Sequence, residues 1–470
     1  MNCARNPGLQ LIALLLLGAL AQGDDWPTFG HDNRRSHVTN ERLTAKLAPL
    51  WKHAGPRPQM AWAGPAKWDA YASRKNLASM RSFDPAFFVI AVGNRLWFGS
   101  SVDDSVHCLD AATGRPLWTT TTGGPVRVAP TWHDGKIYAG SDDGKAYCLD
   151  AVTGKEKWSR SPAEKEQWLI SNGKLISTWP CRTGVLVQNG LAYCGMSLLP
   201  WETSFLCAFD ATTGRPSASG GFLEKHASFT MQGPLTASAD RLFISQGRQE
   251  PVVCELRTGK SLGKVGKGGD GGIWGLVTPE GVFIHGRGQN HGSDGELREF
   301  DAKTRQRLLH FPKARRLAIA GGMVFLLGDG KLRAFDWGRS LPLSRQYGST
   351  AAKRRSAEAK LKKLGKNGKK EVIAALRTEI GELGKLQETL QKQVAACELW
   401  SVPTDCAHDL MVTADLVFAG GDRKVTAFDR KTGSNQWAAE VDGKAYGLAA
   451  AGGRLFVSTD SGSIHAFSAP

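Results

Sequence analysis

The chain has nine cysteines, no two of them adjacent, and no H-E-x-x-H or C-x-x-C-H string. Those absences remove the signatures of a zincin and of a c-type haem site. Beyond residue 21 no apolar run approaches the roughly 20 residues that a membrane-spanning helix needs. The opening run Leu9–Leu20 is itself too short for a stable anchor. With Arg5 before it and Ala19-Leu-Ala21 closing it, the sequence predicts a signal peptide over 1–21. Gln22, not Cys, stands directly after that point, so lipid attachment at a mature N-terminus is not expected. The mature chain is expected to be exported, periplasmic or extracellular, and soluble.

Acid is scarce in one stretch. Between Arg339 and Trp400 there is no Asp, and 14 Lys or Arg stand against 6 Glu. That excess of +8 is half of the net +16 of the whole chain. An exported basic surface points to anionic envelope surfaces rather than to nucleic acid. Eight cysteines remain after the signal. Cys108 and Cys148 read as small core residues, whereas Cys181 with Cys194, or Cys397 with Cys406, are the candidate disulfides.

What the chain has in quantity is one phrase. Asp110-Ala-Ala-Thr-Gly114-Arg-Pro-Leu-Trp118 recurs as Asp150-Ala-Val-Thr-Gly154-Lys-Glu-Lys-Trp158 and as Asp429-Arg-Lys-Thr-Gly433-Ser-Asn-Gln-Trp437. A period of this kind marks a repeat architecture. Before each Asp runs a short apolar strand; Asp and Gly then make a tight turn, and Trp opens the returning strand. Weaker copies follow. Asp210-Ala-Thr-Thr-Gly214 has Ala218 in the Trp slot, Asp301-Ala-Lys-Thr-Arg305 loses the Gly, and Asp336 leaves the pattern altogether. Eight anchors result: 110, 150, 210, 255, 301, 336, 429 and 468.

Repeated four-stranded units of this kind predict an all-β fold: an eight-bladed β-propeller over 24–470, built of four-stranded antiparallel blades. The last unit stops short of its return strand. Leu47-Ala-Pro-Leu-Trp51-Lys52 supplies the missing piece, so the N-terminal strand is expected to close the ring. Trp51, Trp118, Trp158 and Trp437 form a structural girdle.

Anchors 336 and 429 are about twice the usual distance apart. Residues 351–364 and 369–397 lack aromatics and Pro and are rich in Ala, Leu, Lys and Glu, which predicts an antiparallel helical hairpin inserted over 350–397. Leu376, Ile380, Leu383, Leu390, Val394 and Cys397 alternate in steps of four and three, with Gln387 as the polar exception. They form a coiled-coil-like seam facing Ala357, Leu361 and Leu364.

Catalytic signals are weak. Gly286-Arg-Gly288-Gln-Asn-His291 imitates a dinucleotide glycine pattern but has no helix after it. His285, His291 and Asp294 lack a diagnostic metal spacing. No catalytic, cofactor-binding or metal residue is therefore assigned. Recognition is expected in the loops that break the repeat: Trp179, Arg182, Trp201, Glu202, Arg248, Arg287 and His291, where aromatic rings beside cations suit a saccharide or an anionic ligand.

The Asp-x-x-Thr-Gly-x-x-x-Trp phrase resembles the pyrroloquinoline quinone (PQQ) repeat. Such repeats build the quinoprotein dehydrogenases and the non-catalytic propeller subunit of the outer-membrane β-barrel assembly machinery. Asp25-Trp26-Pro-Thr-Phe29 is similar to the start of exported propellers of this type. The dehydrogenases carry a vicinal Cys-Cys pair and an acidic calcium set, and neither transfers to a position here. The resemblance implies a monomeric, non-catalytic scaffold in the cell envelope that needs no cofactor. Its partners would be envelope proteins or an anionic envelope surface, reached through the basic hairpin. The alternative is a divergent PQQ- and calcium-dependent alcohol or sugar dehydrogenase.

Overall fold

The computed structural model describes residues 24–62, 82–216, 220–247, 249–266, 271–287, 296–365 and 368–470. The expected signal peptide lies outside them.

The repeated Asp holds its own turn. Asp110 Oδ1 accepts hydrogen bonds from the backbone N–H of Ala112 (3.0 Å) and of Thr113 (2.8 Å) and from the Thr113 hydroxyl (2.9 Å). Asp150, Asp210, Asp301 and Asp429 repeat the pattern. At Asp150 these donors, the Thr153 N–H first, pull the carboxyl down to about 2. Gly114 closes the turn by donating to Asp110 O at 2.8 Å with φ +70°. Where Asp301 begins the turn, Arg305 takes the glycine's place at φ +62°.

An aromatic ring from the preceding repeat lies on each turn that keeps its glycine. A Cβ at Gly154 would sit 2.6 Å from the Trp118 ring, at Gly214 2.8 Å from Trp158, and at Gly114 2.7 Å from Trp51. Each indole N–H also bonds a carbonyl of the neighbouring repeat: Trp51 to Ala111 (3.0 Å), Trp118 to Ala151 (3.3 Å), Trp158 to Ala211 (3.1 Å). Two further rings belong to this girdle. Phe222, paired with Ala208 as Trp158 is with Cys148, covers Gly259, so it fills the slot assigned from sequence to Ala218. Trp400, paired with Ala334, covers Gly433.

Strands within each repeat pair antiparallel in sequence order. Six four-stranded sheets span 89–121, 131–160, 186–227, 236–264, 275–312 and 314–403. Their second and third strands are almost wholly buried, and the fourth alternates, as an outer edge should. The expected eight separate blades become seven. The last sheet has six strands and carries the final two repeats, because Asn435–Ala451 runs unbroken from the fourth strand of one repeat into the first strand of the next. Its outer edge is Ala48–Ala54, paired with Ser463–Ser468 so that Trp51 faces Ala466. Trp437 Nε1 donates to Leu47 O at 2.8 Å, fixing that strand from the other side. The ring therefore closes where the sequence predicts.

The first strands of the sheets surround the axis, and residues 26–41 stopper one end of it. Trp26 pairs with Ala91, Trp132 N–H donates to Pro27 O, Ala237 N–H to Asn33 O, Val277 N–H to Arg34 O, and Val412 N–H to His37 O. Asn33 Nδ2 reaches Val187 O, and Glu41 Oε1 accepts from Gly453 N–H. Arg35, buried in this plug, donates to Leu235, Thr28 and Phe29.

Helix α1 (Trp337–Leu364) begins some fourteen residues before its predicted start, and α2 spans Lys370–Ala395. The reason is Asp336. In place of a tight turn its side chain caps α1, accepting from Arg339 N–H at 3.0 Å. Asp336 N–H bonds Cys397 O at 2.9 Å and closes the insertion, much as Asp110 N–H bonds Arg115 O at 2.8 Å. The hairpin is thus spliced into a third-to-fourth strand turn with the flanking register kept. The predicted seam positions Leu390, Val394 and Cys397 are buried, and Leu376, Ile380, Leu383 and Gln387 half-buried.

At its base α1 lies on the preceding sheet, where Gly348 would bring a Cβ within 2.8 Å of Arg307 O. Beside it the Ser344 hydroxyl donates to Glu299, which occupies a strand position held by Cys108 and Cys148 in other repeats. Burial pushes the Glu299 carboxyl up to about 7. The native state therefore holds a proton that the unfolded chain releases near its ordinary value. The associated stability is complete below about pH 4.5 and is lost as pH rises through about 7. Replacing Glu299 with Gln is expected to flatten the urea-midpoint-versus-pH curve across that window, by ~3 kcal/mol at most. A second expectation concerns the girdle. Gly135 (φ +69°) has open space where its Cβ would lie, unlike Gly154 (φ +72°). Gly154→Ala should cost at least about 1 kcal/mol more than Gly135→Ala in denaturant unfolding, the excess being the ring contact.

Candidate interaction face

In an antiparallel four-stranded meander the second-to-third and fourth-to-next-first connections leave from one face. The first-to-second and third-to-fourth turns leave from the other. The plug and the helical hairpin belong to the latter. Two connections of unusual length leave from the former, those joining Ala54 to Val89 and Arg160 to Leu186. They touch: Gln59 Nε2 donates to Asn172 O (2.6 Å), and Asn172 Nδ2 to Met60 O (2.7 Å).

Beneath them lies a buried ionic cluster. Arg127 bonds Asp142 Oδ2 through Nε (2.7 Å) and Asp84 Oδ2 through Nη1 (2.8 Å). Arg182 grips both oxygens of Asp142, at 3.1 and 3.0 Å. The Trp62 ring stacks over the Arg182 guanidinium at 5.4 Å, and its N–H donates to Gln232 Oε1 at 2.8 Å. All four ionic side chains are at least 98 % buried. Burial raises a carboxyl, yet two guanidiniums hold Asp142 below its ordinary value; Asp84, with Arg127 as its main ionic partner, stays raised. Among the described residues, Arg182 Nη1 and Asp84 Oδ1 have no hydrogen-bond partner. The network ties 59–62, 82–84, 127, 142 and 182 into one rigid floor.

Above the floor the chain exposes apolar side chains. Residues Trp168–Ser171 and Lys174–Ser177 form a two-stranded hairpin turning at Asn172-Gly173, both at positive φ. Ile176 packs inward, while Trp168 (41 %), Ile170 (82 %) and Leu175 (59 %) face solvent. Trp201, in a second-to-third strand connection of the adjacent sheet, is 75 % exposed.

Several sequence candidates are placed differently. Trp179 is structural: its N–H donates to Thr203 O at 2.7 Å and its ring meets Phe205 edge-on. Arg182 is the buried strut, not a ligand-facing cation. Glu202 neighbours Trp201 and is half-buried, its backbone N–H on Leu199 O. Arg248 and His291 lie outside the described residues, and Arg287 is placed only as the end of a strand opposite Glu296. The candidate disulfide cysteines are all free thiols. Cys181 bonds Gly184 O and Cys397 bonds Gln393 O. Gly259-Lys-Ser261-Leu-Gly263 spells a nucleophile-elbow string, but it joins two strands rather than a strand and a helix. The hairpin residues were missed, although Asn-Gly between short apolar runs signals a hairpin.

The fit of a calcium-bound quinone was tested on this floor. Its two carboxylates are committed to arginine, and the chain has no vicinal cysteines. Among the described residues no three His, Cys, Asp or Glu converge as a metal-binding group. These residues do not fit that group.

A family model described as outer membrane protein assembly factor BamB matches residues 50–309 and 208–470. The chain belongs to this BamB family. No curated relative matches it in sequence. Among solved structures, BamB from Moraxella catarrhalis aligns at 12 % identity and TM-score 0.51, covering 83 % of this chain and 98 % of that one. The computationally designed Ika8 protein gives 14 %, 0.53, 83 % and 98 %. Quinohemoprotein alcohol dehydrogenase ADHIIG from Pseudomonas putida HK5 gives 12 %, 0.55, 95 % and 80 %. At these identities the structures share the propeller fold alone. Among the described residues no helix is long and apolar enough to cross a membrane.

Asp142→Asn is expected to lower stability by about 3–5 kcal/mol, because two buried guanidiniums then lose their charge partner. Trp201→Ala should stay within about 0.5 kcal/mol. Equilibrium urea unfolding of the two variants measures both.

Proposed function

We propose that the protein is an exported, non-catalytic scaffold that captures an envelope protein, in the manner of an outer-membrane assembly factor. The observation that carries this reading is the exposed apolar hairpin, Trp168, Ile170 and Leu175, held on a rigid ionic floor and accompanied by Trp201. Solvent-facing aromatic and branched side chains on a preorganised loop are what a protein interface uses as anchors. Membership of the BamB family supports the same reading. In it the buried arginines serve the loops rather than a ligand. A quinoprotein dehydrogenase would need groups that the floor commits elsewhere.

The test places a photo-crosslinker at Ile170 in cells and, in a separate arm, measures capture by co-purification with the natural side chains in place. One discrete adduct with an outer-membrane assembly component is expected, and Ile170→Glu with Leu175→Glu should abolish capture while leaving the melting curve unchanged. Capture that survives both substitutions overturns the proposal. So does saturable PQQ and calcium binding with dye reduction by an alcohol or sugar.

A further inference from the structure

The opposite face carries a feature that the scaffold reading leaves unused. We infer that the free end of the α1–α2 hairpin binds the surface of an anionic phospholipid bilayer. The buried residues of α1 are concentrated between Trp337 and Ala351, where it rests on the propeller; beyond them only Ala357 is buried. Past Ala351 the helix continues for about 20 Å at 1.5 Å per residue. That end is strongly basic: residues 353–371 hold nine Lys or Arg and two Glu. Among the described residues of this stretch only Arg354 has an ion-pair partner, Glu358 at 3.0 Å. Lys353, Arg355, Lys360, Lys362, Lys363, Lys369 and Lys370 are exposed. Further along α2, Glu379, Glu382 and Glu388 are matched in number by Arg377, Lys385 and Lys392, so they leave the basic excess of the tip unchanged.

The distribution of charge selects the partner. At 100° per residue, Lys353, Arg355, Lys360, Lys362 and Lys363 fan over the half of α1 turned away from its Ala357, Leu361 and Leu364 seam rather than along one narrow stripe. A groove-shaped or rod-shaped partner would call for a stripe. An extended plane met end-on is served by charge spread over the tip, where Lys369 and Lys370 at the start of α2 add to that of α1 and Gly365 and Gly368 flank the apex. Each basic residue near an anionic leaflet contributes roughly fivefold in affinity, and the attraction fades with salt.

The test is co-sedimentation of the purified protein with phosphatidylglycerol–phosphatidylcholine vesicles, against pure phosphatidylcholine vesicles and a DNA duplex at the same salt. Binding to the anionic vesicles alone, lost at high salt, is expected. Lys360→Glu, Lys362→Glu and Lys363→Glu together should weaken it on the order of 100-fold with an unchanged melting curve. The same variant should keep crosslinking through Ile170, which separates this inference from the scaffold proposal. Equal binding to the uncharged vesicles, tighter binding to DNA, or full vesicle binding by the triple variant would overturn it.

Discussion

Everything in this ring depends on an aromatic ring lying on a glycine. The turn glycine sits at positive φ and has no side chain, so the indole of the preceding repeat can rest on bare backbone. The indole N–H then finds a carbonyl in the same turn. One contact thus fixes both the distance and the rotation between adjacent repeats. The Asp that holds the turn makes the landing surface rigid before the ring arrives. Where Trp is absent the geometry is kept by other means: Phe222 slides into register, and Arg305 lays its guanidinium across Gly263.

Much of this was legible because it is periodic. The Asp-Thr-Gly-Trp phrase located the turns, the girdle, the closing strand and the interrupted repeat. Where periodicity is silent, reading fails. Sequence spacing alone could not show that Asn435–Ala451 fuses two repeats into one sheet. Nor could it start α1 at Trp337, since Trp-Gly-Arg-Ser-Leu-Pro has no helical composition. The Asp336 cap and the packing of Ser344 and Tyr347 on the sheet override propensity there. Arg182 and Asp142 were hardest. Both sit in loops, and only the fold brings residues 40 positions apart into a bidentate pair.

The two faces differ in kind. One presents apolar side chains on a floor of neutralised charge, the other a plugged axis and a lever of unpaired lysines. A buried ionic cluster is a poor source of stability, but its directional bonds hold loops to one geometry. That suits a surface whose task is to stay in place. The hairpin obtains its rigidity differently, from a seam of apolar contacts and from the closed base at Asp336 and Cys397.

The pairing of Ala48–Ala54 with Ser463–Ser468 also sets a timetable. Residues 48–54 are synthesised roughly 400 residues before Ser463–Ser468, the strand they must pair with. The plug likewise waits for sheets that do not exist when it emerges. Contacts this distant in sequence are slow to form. That segment therefore waits through the synthesis of six sheets as an unsatisfied strand, and the circle becomes a single cooperative object only when Ser463–Ser468 emerge.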